Sequence, residues 1–97
     1  MILNIKRNYE EIVISVGGRL DDIAAPILEK TITENVNIND DLVFDFKSLN
    51  YISKAGFQVL MKTKEKMSDG FMTIKNVCDE IMKEFEVNGF IDDFIIE

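Results

Sequence analysis

The sequence predicts a single α/β domain over residues 1–97, a mixed β-sheet with helices packed largely on one face. Three observations carry that expectation. Segments of strand character alternate with segments whose apolar residues recur at helical spacing, with no internal repeat, linker or low-complexity stretch between them. The central run Leu42-Val43-Phe44-Asp45-Phe46 is apolar at nearly every position, as in a strand covered on both faces. Finally, 97 residues that are 46% hydrophobic with one proline are too apolar for disorder, yet too few for two cores or a large enclosed active site.

The elements follow in order. Residues 2–6 suit a short strand, and Asn8-Tyr9-Glu10 suggests a hairpin into a firmer strand over residues 11–16, where Ile12, Ile14 and Val16 alternate with Val13 and Ser15. Gly17-Gly18 is expected to end that strand, with Arg19-Leu20-Asp21-Asp22 leading into a helix. Pro26 fits a first helical turn, and Ile27, Leu28, Thr31, Ile32 and Val36 form the expected stripe. The polar cluster at residues 37–41 is a turn into the central strand. Residues 47–53 read as a loop that delivers Ser53 to a second helix carrying Phe57, Leu60, Met61 and Met67 as packing residues. Asp69-Gly70 turns the chain into a strand over residues 71–75. Asn76 is the expected cap of a third helix with the stripe Val77, Ile81, Met82 and Phe85, and Asn88-Gly89 closes it. The last eight residues are apolar enough for a short edge strand. This order implies right-handed crossovers between parallel strands.

Composition excludes much chemistry. There is no histidine, and Cys78 is the only cysteine, which removes Ser-His-Asp and Cys-His catalysis, imidazole or thiolate zinc sites and histidine-ligated haem. A lone thiol in an apolar pattern reads as a packed, reduced side chain, consistent with a cytoplasmic protein. Eighteen acidic against eleven basic residues give a net charge of −7, so nucleic acid is not an expected partner. The N-terminal residues lack the pattern of a secretory signal, and no run approaches the roughly 20 apolar residues of a membrane helix, so no membrane insertion is expected.

The acidic pairs Asp21-Asp22, Asp40-Asp41 and Asp92-Asp93 lack the alternating oxygen ligands of an EF-hand loop and read as solvated loop charges. Gly17-Gly18 lacks the third glycine of a dinucleotide fingerprint, and no GxxxxGK phosphate loop exists. No cofactor or metal is expected. Ser53 stands out, because it precedes a helix that opens with Lys54-Ala55-Gly56-Phe57. Its hydroxyl there is an ordinary N-cap, and the same position also suits an added phosphate, since free N–H groups and the helix dipole favour negative charge. With parallel adjacent strands, Asp21 and Asp22 come near Ser53 and Lys54, and Lys54 and Asp21 are placed to pair. Ser53 has no base to activate it, so a binding module is expected and not an enzyme.

Gly18-Arg19-Leu20-Asp21, the Pro26 helix start, Leu42-Val43-Phe44-Asp45-Phe46, Tyr51-Ile52-Ser53-Lys54-Ala55-Gly56-Phe57 and Asn76-Val77 with Phe85-Glu86-Val87-Asn88-Gly89-Phe90 together resemble the STAS domain of bacterial anti-sigma factor antagonists over almost the whole chain. The resemblance implies a protein that binds an anti-sigma factor with serine kinase activity, frees a sigma factor, and is released when phosphorylated. It implies partner-binding residues at Asp21, Asp22, Ser53, Lys54, Ala55 and Gly56. Lys54 occupies the position that is the phosphoacceptor in the family, and Ser53 matches the site before it. Lysine accepts no phosphate in this chemistry. Three readings are therefore open: a constitutive antagonist, an acceptor moved to Ser53, or a STAS accessory or scaffold subunit of a transporter or other signalling assembly.

Overall fold

In the computed structural model, residues 1–67 and 70–97 are described, and the expected turn at Asp69-Gly70 falls partly outside them. The elements are β1 (Ile2–Arg7), β2 (Glu11–Leu20), α1 (Ala24–Asn35), β3 (Asp41–Asp45), β4 (Leu49–Ile52), α2 (Lys54–Lys66), β5 (Phe71–Lys75), α3 (Asp79–Val87) and β6 (Ile95–Ile96). The sheet runs β1-β2-β3-β5-β6, with β4 beside the far half of β2. Only β1 is antiparallel; β2, β3, β5 and β6 are parallel neighbours, as are β2 and β4.

One core lies on one side of this mixed sheet. Ile12, Ile14 and Val16 of β2, Leu42 and Phe44 of β3, and Met72 and Ile74 of β5 join a buried cluster with Leu28 and Ile32 of α1, Phe57 and Leu60 of α2, and Ile81 and Phe85 of α3. The helices thus share a face, and the alternation of β2 is the side-chain period of a half-covered strand. Val43 corrects the expectation that the central strand is covered by packing layers on both faces. It is buried outside that cluster, flanked in register by Val13 and Thr73 of the neighbouring strands.

Further differences have local causes. Gly17-Gly18 does not end the second strand. Gly18 takes φ +80°, open to glycine at little steric cost, and the register shifts between Gly18 and Arg19. The bulge lets the strand continue to Leu20 while exchanging β3 for β4. Residues 49–52, expected within a loop, are that new partner. Asn76 does not cap α3. It stands at φ 62°, and its side-chain amide donates to Asp45 Oδ1 at 2.9 Å, tying the ends of β3 and β5. Cys78 is the residue at the N-cap, without a side-chain capping bond. In α1 the stripe is Ala24, Ala25, Leu28 and Ile32, and Ile27 faces solvent. Met61 is half-buried against the core, whereas Met82, expected in the stripe of α3, is half-buried without joining it.

Other expectations hold. Ser53 caps α2, Pro26 lies in the first turn of α1, and the C-terminus adds a short edge strand. Gly89 N–H donates to Glu86 O at 3.1 Å and Phe90 N–H to Phe85 O at 2.8 Å, the paired bonds of a Schellman closure after Asn88. At the end of the sheet where β3 begins, Arg7 grips both Asp40 carboxylate oxygens at 3.0 and 2.9 Å and the Asn35 carbonyl at 2.7 Å. The Arg7 side-chain bond holds the Asp40 carboxyl below the usual range. Because the pair is open to solvent and screened by salt, it is a weak contributor to stability.

Candidate functional site

The site forms where the carboxyl ends of β2 and β4 meet the N-termini of α1 and α2. Ser53 N–H donates to Leu20 O at 2.9 Å and locks the two loops together. Asp21 then starts α1: its Oδ1 accepts from Ala24 N–H at 2.9 Å and from Ile23 N–H at 3.1 Å. The Ala24 bond, with the Ile23 bond and the charge of Arg19, lowers the Asp21 pKa from its ordinary value. The expected Lys54–Asp21 contact is absent. Among the described residues the ion pairs are Arg7–Asp40 and Lys62–Glu29, and the Asp21 carboxylate instead serves the helix N-terminus.

Ser53 is 9% exposed, and its Oγ accepts from Gly56 N–H at 3.3 Å. Phe57 N–H donates to Ser53 O at 3.1 Å, the first bond of the helix proper. Lys54, one residue on, is exposed on the first turn. Asp22 and Ala55 share a shallow groove between α1 and α2, bordered by Glu29 and Lys62, which pair at 3.7 Å. The structure therefore brings together all six predicted residues: Asp21, Ser53 and Gly56 build the loop junction, and Asp22, Lys54 and Ala55 line its surface.

Gly56 is where this junction leaves no room. A β-carbon there would stand 2.8 Å from Ile52 Cγ1, 2.9 Å from Leu20 Cγ and 3.1 Å from Leu20 O. In an ordinary helix, glycine to alanine stabilises by up to about 1 kcal/mol. At Gly56 the sign should reverse, because overpacking costs about 1–3 kcal/mol. Gly56→Ala is thus expected to lower the urea midpoint, and an unchanged or higher midpoint would show that the two loops are not in contact.

Arg19 and Tyr51 form a surface pair beside this junction that the sequence reading does not pick out as site residues. They are register partners across β2 and β4, and the Arg19 guanidinium lies 4.0 Å from the Tyr51 ring centroid. Their pairing is invisible until β4 is recognised as a strand. Among the described residues, no group of three histidine, cysteine, aspartate or glutamate side chains is placed to hold a metal ion. No helix of the described chain is long and apolar enough to cross a membrane.

Residues 3–97 match the STAS domain family. The chain belongs to that family. Among curated relatives, this STAS domain is 23% identical over 92 residues to the anti-sigma-B factor antagonist of Bacillus subtilis (strain 168), covering 93% of the chain and 84% of the relative. Among solved structures, the anti-sigma factor antagonist SpoIIAA in its unphosphorylated form shares the STAS fold with a TM-score of 0.79 at 15% identity, over 99% of this chain and 88% of that one. The Bacillus cell fate determinant SpoIIAA in the phosphorylated form gives 0.74 at 16% identity, over 99% and 91%.

Proposed function

We propose that this STAS domain is an anti-sigma factor antagonist: it binds a cytoplasmic anti-sigma factor of the serine-kinase class and so frees a sigma factor, without a phosphate-driven release. The observation that carries the second half is the division of labour at the start of α2. The side chain in the acceptor position is the exposed Lys54, while the neighbouring Ser53 is nearly buried and holds the helix cap. The helix end would favour the charge of a phosphate on Ser53, but its side chain is closed in by the loop junction at 9% exposure, with no room for a bulky dianion, which disfavours an acceptor moved to Ser53. The curated relative is named for antagonism of an anti-sigma factor, which supports this reading over an accessory role in a transporter or scaffold.

The test is affinity capture from the native host's lysate with tagged chain, against a Lys54→Glu control, identifying retained proteins by mass spectrometry. An ATP-binding anti-sigma factor should be enriched at least tenfold over the control, because an opposed charge at a desolvated contact costs more than the ~1.4 kcal/mol that a factor of ten represents. Recovery of transporter or scaffold components in its place would overturn the proposal. Equal recovery by the variant would remove Lys54 from the interface.

A further inference from the structure

Helix α1 has a second apolar stripe that the core does not use. Ile23, at its N-cap, is 81% exposed, and Ile27, one turn later, is 54% exposed. Residues four apart stand one above the other on a helix, so the two side chains form a single strip. The strip faces β1, and with Met1, Leu3, Arg19 and Asp21 it lines an open groove between α1 and that edge strand. Solitary exposed isoleucines are ordinary, but a converging set of this kind is the pattern of an interaction surface.

Three features indicate what covers it. The groove runs into the loop junction, since Arg19 and Asp21 flank Leu20, whose carbonyl holds Ser53 N–H at 2.9 Å. Size is the second feature. A stable complex of ordinary size buries ~800 Å² on each partner, roughly a seventh of this chain's 5940 Å² surface, so an interface centred on the loop junction extends onto the surface next to it, where this groove lies. Charge is the third. In a chain of net charge −7, Arg19 and Lys54 are exposed at this end beside Asp21 and Asp22; among the described residues neither cation is in an ion pair, and the Asp21 carboxylate already accepts from the N–H groups of Ile23 and Ala24. The α1–α2 groove, by contrast, is bordered by its own Lys62–Glu29 pair.

We infer that Ile23 and Ile27 form an apolar wing of the partner-binding surface, receiving aliphatic or aromatic side chains of the same anti-sigma factor while Arg19 and Lys54 meet its acidic groups. The inference rests on the binding role proposed above. Changes to short-range apolar contacts act mainly on dissociation, so the wing governs how long the complex lasts more than how fast it forms.

The probe is the anti-sigma factor recovered by capture, purified and titrated by calorimetry with the full chain. Ile23→Asp/Ile27→Asp should weaken binding at least tenfold, and the milder Ile23→Ser/Ile27→Ser should also weaken it, with thermal melting confirming that both fold. Ile38→Asp, at a 53% exposed position beyond the other end of α1, should bind as the parent does. If both double variants bind with parental affinity, the wing is not part of the interface, although the proposed function stands. If sedimentation shows a parental dimer that the Ile23→Asp/Ile27→Asp variant abolishes while anti-sigma binding is unchanged, a second copy covers the wing and the inference is wrong. If the parent captures no anti-sigma factor at all, the proposed function fails and the inference with it.

Discussion

Phe57→Ala is expected to lower the free energy of unfolding by about 3–5 kcal/mol, the largest loss foreseen for any single change in this chain. Phe57 is 1% exposed. Its ring stands perpendicular to Phe85 at 4.9 Å and tilted over Phe90 at 5.0 Å, and Phe85 in turn meets Phe94 edge-on at 5.6 Å. The four rings bind α2 to α3 and to the C-terminal segment that ends in β6, so truncating the second ring opens a cavity that several elements must collapse to fill. Domains of this size hold about 5–15 kcal/mol in total, and the variant should sit near the edge of folding. Because Phe57 N–H makes the first helical bond to Ser53 O, the candidate site should loosen with the core. Urea denaturation followed by circular dichroism measures the loss. A change below about 1 kcal/mol would show that these rings are not packed together.

Lys54→Ser is expected to convert a binding partner into a modifying one. If Lys54 holds the acceptor position, the parent chain incubated with ATP and its anti-sigma factor should gain no phosphoryl group. The variant should gain one, on residue 54, read as a mass increase located by peptide sequencing. An exposed first-turn position accommodates the product, since the N-terminal end of a helix favours an anion, and the two added charges then act on the docked partner in place of the fold. The variant should consequently leave its partner after modification, whereas the parent stays bound in the presence of ATP. Phosphate on Ser53 of the parent would overturn this account, and so would a Lys54→Ser chain that binds its partner under ATP and remains unmodified.

Most of the element order is legible in the sequence because period and punctuation agree. Ile12, Ile14 and Val16 alternate, Ser53 precedes a helical stripe, and Asn88-Gly89 follows one. The exceptions share a cause: they depend on partners distant along the chain. Residues 49–52 have the burial order buried, exposed, exposed, buried, which is neither helical nor alternating, and they are a strand only because the bulged end of β2 lies beside them. Asn76 carries capping chemistry, but Asp45 lies within reach across the sheet and claims its amide. At the site, the meeting of the two loops follows from parallel strands, whereas the fate of Asp21 does not. A carboxylate beside a lysine suggests an ion pair, yet the N–H groups of Ile23 and Ala24 are nearer in the chain and already in place. The apolar wing was hidden for a related reason. Ile27 fits a helical stripe equally well before the sheet determines which side is inward.

The bulged β2 strand also bears on how the domain comes apart. β2 is hydrogen-bonded along its length to β1, to β3 and, beyond Gly18, to β4, so no partner strand can be exchanged without disturbing the same backbone. Its middle amides are reached only through opening of the whole sheet, whereas β6, two residues long with a single partner, can detach locally. The strand that ends in the loop before α1 is thus expected to be the slowest to exchange its hydrogens with solvent. The surface proposed to dock a partner is carried on the most firmly paired strand of the molecule, where an ordered loop would lose little further freedom on binding.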